Sequence, residues 1–337
     1  MVHLLATHPL AQHLRRMIPP GTRFLVTGGA GFIGSHLAAE LVALGMRVRV
    51  LDNFATGRRQ NLAAVADRIE LLEGSVADPE ACRAACAGVA FVLHHAAVPS
   101  VARSVADPRE CHEANVAGTL NMLEAARAAG VRRLVYAASS SAYGDLPVEW
   151  KREDLRPAPQ SPYAAAKLAA EHYCAAWTRV YGLDTVSLRY FNVFGPRQDP
   201  ASDYAAVIPR FAARMLRGER PVIYGDGGQT RDFTYIANNV RAVLLACVAE
   251  DVAGRVFNIA CGRAHSLLEL VAALNAVLGT AIEPEFSPPA PGDVRHSKAD
   301  ISAARAALGY EPEVEFEEGL RRTVDWLRAE TSRAGSS

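Results

Sequence analysis

The sequence has no excess of charge of either sign. Its 337 residues include 36 lysines and arginines and 36 aspartates and glutamates, so the formal net charge is zero. A chain of this kind produces no basic field that would attract nucleic acid or an anionic membrane surface. We therefore predict neither partner, and any anionic ligand must be held by individual basic side chains.

The sequence also lacks a long apolar run. No stretch approaches the ~20 apolar residues that a membrane-spanning helix needs. Residues 1–21 include His13, Arg15 and Arg16 and lack the uninterrupted apolar segment of a signal peptide. We interpret them as a short, largely helical N-terminal extension.

Cysteine pairs at the spacing of a zinc site are missing. Of six cysteines only Cys82 and Cys86 lie close together, and no second pair matches them. His94 and His95 cannot chelate one metal, because adjacent residues of a strand point to opposite faces. We predict no metal, reduced thiols and a cytoplasmic protein.

A glycine-rich turn follows the first predicted strand. Gly28, Gly31 and Gly34 come at three-residue spacing after an apolar run, and an apolar-periodic helix begins among them. Such glycines permit a tight turn and let the backbone approach a pyrophosphate at the helix N-terminus. The second predicted strand ends at Asp52, where an acidic residue would bind the ribose 2′-hydroxyl of an adenosine. The pattern predicts bound NAD.

Two arginines keep the alternative cofactor open. A 2′-phosphate of NADP would meet the charge of Asp52, which favours NAD. Arg58 and Arg59 nevertheless lie close to Asp52 in sequence and could offset that charge. NAD remains the preferred cofactor.

Tyr163 and Lys167 form the second informative pattern. They lie four residues apart in a segment predicted to be helical, so both side chains project from one face. The pKa of a phenol is near ~10, too high for a base at neutral pH. A fixed ammonium and a cationic cofactor ring would stabilise the phenolate and lower that pKa. In a chain that opens with a nucleotide-binding turn, the pair predicts acid–base chemistry.

Strand-like and helix-like segments alternate from residue 22 to about residue 191. The predicted strands are 23–27, 47–51, 69–73, 90–94, 132–138 and 185–190, and the predicted helices are 32–44, 79–87, 107–129 and 161–181. This alternation predicts an α/β fold with a parallel sheet covered by helices on both faces. After residue 191, glycine- and proline-rich turns and shorter elements indicate a smaller second domain.

The order of the motifs resembles one known family. Along the chain lie the glycine turn, the segment 94–97 (His-His-Ala-Ala), Asn115, the segment 138–144 (Ala-Ser-Ser-Ser-Ala-Tyr-Gly), the Tyr163 and Lys167 pair, and the segment 189–196 (Arg-Tyr-Phe-Asn-Val-Phe-Gly-Pro). From about residue 23 to residue 326 the chain is similar to the extended short-chain dehydrogenase/reductases, and within them to nucleotide-sugar epimerases and dehydratases. Residues 51–57, 190–200, 204–209 and 292–297 resemble the UDP-N-acetylglucosamine 4-epimerases more closely.

The resemblance implies a Rossmann-type doubly wound sheet and a smaller α/β substrate-binding domain. We predict an NAD-binding domain of residues 22–191 plus about 233–262. A nucleotide-sugar-binding domain would take residues 192–232 plus about 263–330. It also implies a homodimer formed through the helices that contain Asn115 and Tyr163.

The chemistry that the resemblance implies is a transient oxidation at C4 of the sugar. The Tyr163 phenolate would remove the proton of the 4-hydroxyl while hydride leaves C4 for the nicotinamide. Lys167 would lower the pKa of Tyr163 and bind the nicotinamide ribose, and Ser139 would hydrogen-bond O4. The 4-keto sugar would then rotate, with its UDP anchored, and take hydride back on the other face.

The remaining site residues follow from the same resemblance. The implied cofactor contacts are Gly28, Gly31, Phe32, Ile33, Gly34, Asp52, Asn53, Gly57, Ser75, Val76, His95, Ala96, Ala97, Asn115, Tyr163, Lys167 and Tyr190. The implied substrate contacts are Ser100, Arg103, Ser140, Ser141, Asn192, Ala206, Val207, Tyr224, Arg231, Arg295 and Ser297. Arg231 would bind the diphosphate, although a surface pair with Asp232 is the alternative.

Four positions bear on the comparison with relatives. Dehydratases of this superfamily place Asp-Glu where this chain has Ser140 and Ser141, so the sequence favours epimerisation. Epimerases restricted to UDP-glucose carry a bulky tyrosine at the position of Ser297, and a serine leaves room for an N-acetyl group. Ala290 replaces an arginine that usually binds the diphosphate.

Other functions remain open from sequence. A UDP-glucose or UDP-glucuronate 4-epimerase would carry the same catalytic motifs. A non-catalytic NAD-binding scaffold is a different class of protein. Loss of Ser139, Tyr163 or Lys167 would favour the scaffold, and all three residues are present.

Overall fold

The structure is a computed structural model that describes residues 9–200, 206–288 and 295–334. Residues 1–8 of the predicted extension lie outside the described residues. The same holds for residues 204, 205 and 292–294 of the stretches that resemble the epimerase subgroup, and for Ala290. Among the described residues, no helix is long and apolar enough to cross a membrane.

The described residues form the following strands and helices, which alternate through the first half of the chain. The strands are β1 (Arg23–Thr27), β2 (Arg47–Asp52), β3 (Ile69–Glu73), β4 (Phe91–His94), β5 (Arg133–Ser139), β6 (Thr185–Tyr190), β7 (Val193–Phe194), β8 (Val222–Tyr224), β9 (Thr230–Arg231), β10 (Thr234–Tyr235), β11 (Arg255–Ile259), β12 (His265–Ser266), β13 (Glu285–Ser287) and β14 (His296–Ser297). The helices are α1 (Pro9–Met17), α2 (Phe32–Ala43), α3 (Pro79–Cys86), α4 (Val101–Ala106), α5 (Pro108–His112), α6 (Gly118–Ala128), α7 (Pro162–Tyr181), α8 (Val207–Leu216), α9 (Ile236–Val248), α10 (Leu267–Leu278), α11 (Ser302–Leu308) and α12 (Phe316–Ala334).

Seven strands form one parallel sheet in the order β11-β6-β5-β4-β1-β2-β3. Side chains alternate between its two faces. Phe24 and Val26 of β1 belong to a core on one face, packed with α2 and α9. Leu25 belongs to a second core on the other face, packed with α3, α6 and α7. The predicted doubly wound Rossmann-type sheet is therefore confirmed, and all six predicted strands exist within a residue or two of their expected bounds.

Helix α7 is positioned by signals at both of its ends. The Ser161 side chain accepts a hydrogen bond from the Ala164 amide at 3.1 Å, and Pro162 occupies the first turn, where no amide hydrogen is needed. Gly182 ends the helix with φ 72°, a left-handed conformation that glycine adopts without strain. The 20-residue helix therefore begins at the residue next to Tyr163.

Short strands follow β6. They form two-stranded β7–β10 and β8–β13 pairs and a three-stranded sheet in the order β12-β9-β14. In that sheet Ser297 lies beside Arg231 in the parallel register. Strand β11 returns to the central sheet next to β6, so the chain crosses between the two regions more than once. The domain boundaries given above remain a prediction.

Candidate active site

A cleft of about 1250 Å³ lies at the carboxyl ends of the central strands. In open α/β sheets this edge is where ligands bind. The cleft brings together most of the site residues predicted from sequence. Those that line it are Gly28, Gly31, Phe32, Ile33, Gly34, Asp52, Asn53, Gly57, Ser75, Val76, His95, Ala96, Ala97, Ser100, Arg103, Ser139, Ser140, Ser141, Tyr163, Lys167, Tyr190, Asn192, Ala206, Arg231 and Ser297.

Asn115 lies behind the cleft wall. Its Oδ1 accepts the Val98 amide at 2.8 Å, and its Nδ2 donates to the Val98 carbonyl at 3.1 Å. The side chain is 1% exposed. The Asn115 Nδ2 also donates to Cys111 Sγ at 3.3 Å, so its amide is bonded within the protein and Asn115 lies behind the lining of the cleft.

Three predicted substrate residues also lie off the cleft lining. Val207 begins α8, and Tyr224 ends β8 with 43% of its surface exposed. Arg295 lines a second cavity of about 480 Å³, and its guanidinium lies 2.8 Å from a carboxylate oxygen of Asp226. The structure thus does not bring these residues to the walls around Tyr163.

The glycine turn fits a pyrophosphate. Gly31 caps α2 without any side-chain hydrogen bond, which leaves the first amide groups of the helix to a ligand. A Cβ at Gly34 would lie 2.2 Å from the Gly28 carbonyl oxygen, so only glycine permits this turn. Gly28 has φ 66°, and a Cβ there would lie 2.8 Å from the Ala96 backbone. The geometry supports the predicted dinucleotide site.

Asp52 is held at the end of β2 by two amides. Its Oδ2 accepts from Ala30 and its Oδ1 from Phe54, each at 2.8 Å. The nearby arginines have acidic partners of their own, since Arg58 pairs with Asp199 and Arg59 with Glu73. This arrangement favours a ribose hydroxyl at Asp52 over the phosphate of NADP.

Ser139, Tyr163 and Lys167 meet in the cleft. Ser139 ends β5, and its Oγ accepts from Ser141 Oγ at 2.8 Å. Lys167 is 4% exposed, and its ammonium donates to the Ala137 carbonyl at 2.9 Å. Strand β5 and helix α7 therefore place a hydroxyl, a phenol and an ammonium in the lining of one cleft.

Burial is the largest influence on the pKa values of Tyr163 and Lys167. Burial raises the pKa of the Tyr163 phenol above its ordinary value, and a hydrogen bond with Ser139 opposes that rise. Burial lowers the pKa of Lys167 to about 8. In the protein alone, Lys167 does not bring the pKa of Tyr163 below its usual range. The expected lowering therefore requires the positive ring of a bound nicotinamide.

A buried relay that sequence reasoning missed fixes the wall at residues 95 and 96. The Thr119 hydroxyl donates to the Asn115 carbonyl at 2.7 Å, so it accepts from His94 Nε2 at 3.1 Å. His94 Nδ1 then accepts from the Thr27 hydroxyl at 2.7 Å, whose oxygen accepts the amides of residues 95 and 96. The partners come from separate strands and helices, so no local sequence signal could have revealed the relay.

Arg231 lines the cleft from β9 of the three-stranded sheet. Its guanidinium donates to the Thr230 carbonyl at 2.9 Å. The neighbouring Asp232 carboxylate is fully buried and accepts the amides of Cys261, Gly262 and Ala299 at 2.9, 3.0 and 3.2 Å. Asp232 therefore serves the loop backbone, and the surface pair with Arg231 that sequence left open is not formed.

Known proteins match this chain along most of its length. A model of the NAD dependent epimerase/dehydratase family matches residues 24–260. The UDP-glucose 4-epimerase of Mycolicibacterium smegmatis is 40% identical over 310 residues, which cover 91% of this chain and 98% of that protein.

Two solved structures share the fold. The UDP-N-acetylglucosamine 4-epimerase of Methanobrevibacter ruminantium, in complex with UDP-N-acetylmuramic acid, has a TM-score of 0.88 and 36% identity, covering 92% of this chain and 99% of that one. The UDP-glucose 4-epimerase of Thermus thermophilus, in complex with NAD, has a TM-score of 0.83 and 40% identity, covering 91% and 99%.

The chain belongs to the NAD-dependent epimerase/dehydratase family, as the sequence motifs predicted. It is an NAD-dependent enzyme, and the glycine turn and Asp52 fit that cofactor. The relatives named above differ in the sugar that their names give.

Proposed function

We propose that this enzyme is a UDP-sugar 4-epimerase, an isomerase that interconverts UDP-N-acetylglucosamine and UDP-N-acetylgalactosamine. Both the curated relative and the two solved structures are 4-epimerases by name. The observation that carries the catalytic part is that Ser139, Tyr163 and Lys167 line the same cleft. UDP-glucose is the second candidate substrate of the same site.

NAD would be held by the glycine turn, Asp52 and Lys167, and when bound it supplies a hydride acceptor and a positive charge. The roles of the side chains follow from their positions. Tyr163 takes the proton of the sugar 4-hydroxyl, and Ser139 holds that oxygen. Lys167 stays cationic below its pKa of about 8 and favours the phenolate. After the 4-keto sugar has rotated in the cleft, Tyr163 returns the proton to its O4 oxygen.

The nucleotide of the substrate is held by a second group of cleft residues. Arg231 and Asn192 line the cleft, and Asn192 is held with φ 37° by a hydrogen bond from its Nδ2 to the Asp232 carbonyl at 3.2 Å. A left-handed asparagine costs free energy, and such residues cluster at functional sites. Fixed diphosphate contacts would let the oxidised sugar rotate without leaving.

The sugar preference rests on Ser297. It lies beside Arg231 in the register of β9 and β14, and it lines the cleft. A serine here leaves room next to the diphosphate wall for an acetamido group at C2. A tyrosine would fill that space, and steric exclusion in a closed pocket is hard to relieve.

Purified protein should carry NAD and interconvert the two N-acetylated UDP-sugars without added reductant. Chromatography of the nucleotide sugars after incubation measures this. Net oxidation of the sugar with accumulating NADH would instead identify a dehydrogenase.

Ser297→Tyr should lower kcat/KM for UDP-N-acetylglucosamine by about 100-fold or more and spare UDP-glucose. His296→Tyr is the matched control, since His296 is exposed and lines the second cavity. Equal losses on both sugars in Ser297→Tyr would show that Ser297 does not select the C2 substituent.

We also expect the enzyme to be a homodimer. The outer face of α7 leaves Tyr173, Val180 and Tyr181 exposed, at 38%, 68% and 47%. Exposed apolar side chains on one helix suit a helix-to-helix interface. Light scattering of the purified protein measures the mass directly, and a monomer would contradict this expectation.

A further inference from the structure

A buried lysine lines the cleft and has no place in the scheme above. The Lys151 side chain is 2% exposed, and its ammonium donates to the Leu146 carbonyl at 2.5 Å. Lys151 shares the cleft lining with Ser141, Gly144 and Ser297. It therefore stands among the residues around the sugar.

The main chain of Lys151 is bonded to the segment that directly follows β14, the strand of Ser297. Its amide donates to the Lys298 carbonyl at 2.8 Å, and its carbonyl accepts the Asp300 amide at 2.9 Å. These bonds form a parallel bridge between Lys151 and Ala299. Lys151 cannot shift without moving the wall at Ser297.

A second set of contacts fixes Lys151 to the catalytic serine turn. Asn258 Nδ2 donates to the Lys151 carbonyl at 2.9 Å, and Asn258 Oδ1 accepts from the Tyr143 hydroxyl at 2.7 Å. Tyr143 ends the 3-10 turn, Ser140–Tyr143, that follows Ser139. Lys151 is thus braced between the two walls that face the hexose.

The ammonium of Lys151 has donors to spare. It carries three N–H groups, and the Leu146 carbonyl is the one hydrogen-bond acceptor found for it in the described part of the chain. No carboxylate of the described residues lies within ion-pair distance of it. Because Lys151 lines the cleft, its remaining N–H groups can donate to acceptor oxygens of a molecule bound there.

We propose that the Lys151 ammonium binds the hexose of the substrate by donating a hydrogen bond to an oxygen substituent on a carbon other than C4. This inference rests on the proposed function, in which Ser139 and Tyr163 hold O4. The acceptor is a hydroxyl, carbonyl or carboxylate oxygen of the sugar. The residue thereby selects how the hexose sits between the serine turn and Ser297.

The test compares ligands with and without a hexose. Dissociation constants of UDP, UDP-glucose and UDP-N-acetylglucosamine are measured by calorimetry on the NAD-containing wild-type protein and on Lys151→Met. Methionine keeps the length of the side chain and removes the donors. We expect both UDP-sugars to bind about 10- to 100-fold more weakly, as for a lost hydrogen bond to a charged group, with UDP binding unchanged.

Lys298→Met is the matched control. Its ammonium lies 3.6 Å from the Trp150 ring centroid and 3.6 Å from Glu149, and it lines the second cavity. This variant should bind all three ligands like the wild type. If Lys151→Met does not fold, Lys151→Gln gives the same comparison with a weaker donor.

Three results would overturn the proposal. One is an equal loss for UDP and the UDP-sugars in Lys151→Met, and another is no loss for any ligand. Wild-type protein that binds UDP-sugars no more tightly than UDP would overturn it as well. Tight binding of UDP-sugars without interconversion would contradict the proposed epimerase activity alone, because the binding comparison needs no turnover.

Discussion

The two ends of the cleft are built from very different material. At the catalytic end, Ser139 ends a seven-residue strand inside a seven-stranded sheet, and Tyr163 lies on a 20-residue helix. At the substrate end, Arg231 and Ser297 lie on strands of two residues each. Long strands and helices thus position the proposed catalytic residues, whereas short strands position the residues proposed to select the substrate.

The means of support differ as well. Behind the catalytic end, Glu171 of α7 and Arg189 of β6 form two hydrogen bonds of 2.7 and 2.9 Å, with both side chains 4% exposed. Behind the substrate end, the Asp232 carboxylate holds three backbone amides of neighbouring loops. One end is secured by a buried ion pair between regular elements, and the other by a single carboxylate among loops.

The largest effect should follow from removing the phenol at the catalytic end. Tyr163→Phe keeps the packing of α7 but cannot accept a proton, so kcat should fall by about 10²- to 10⁴-fold with every UDP-sugar. NAD content and melting temperature should stay close to wild type. The uniform loss would separate the catalytic end from Ser297, which acts on one sugar only. Near-normal kcat would remove Tyr163 from the mechanism.

The second-largest effect should follow from breaking the buried ion pair between Glu171 and Arg189, which should lower the stability of the protein. Glu171→Leu leaves the Arg189 guanidinium buried without its carboxylate, and the free energy of unfolding should fall by about 3–5 kcal/mol. The double variant Glu171→Leu/Arg189→Met removes both charges and should recover most of that loss. Urea unfolding of the three proteins measures it.

An exposed ion pair provides the control for that series. Arg152 and Asp154 lie 2.6 Å apart with side chains 57% and 64% exposed, so Asp154→Ala should leave the unfolding free energy near the wild-type value. A double variant as unstable as Glu171→Leu would show that the pair is not what secures the catalytic helix.

The smallest effect is a difference between the two ends in how their stability depends on pH. Burial lowers the pKa values of His36, His94 and His95 from 6.5 to about 3. Between those values the unfolded chain binds protons that the folded protein excludes, so stability falls as pH falls through this window. Burial raises the pKa of Asp232 to about 7, which has the opposite sign because the folded state holds the proton first.

Acidification should therefore loosen the nucleotide and catalytic side before the substrate side. We expect the melting temperature to decrease by several degrees between pH 6.5 and 4.5, with amide exchange rising first around β1 and β4. His94→Gln should flatten this pH dependence, because one group that takes up a proton on unfolding is gone. A melting temperature that stays constant over this range would contradict the assignment.

The sequence alone determined the nucleotide and catalytic motifs. The glycine turn, Asp52 and the Tyr163 and Lys167 pair are predictable because each depends on a short stretch of chain, and Ser139 followed from the family resemblance. The spacing of glycines fixes a strand-turn-helix unit, and residues four apart on a helix share one face. The order of strands and helices followed from the same local periodicity.

Only the tertiary structure decided which distant segments meet. It paired Lys151 with Ala299, two residues from Ser297, bonded the Asn115 side chain to Val98, and placed Arg295 at a second cavity. Such contacts depend on how loops and short strands pack against each other, and local periodicity contains no information about that packing. At the catalytic end the regular elements fix the site, so sequence suffices; at the substrate end single hydrogen bonds between remote segments fix it, so only the fold reveals it.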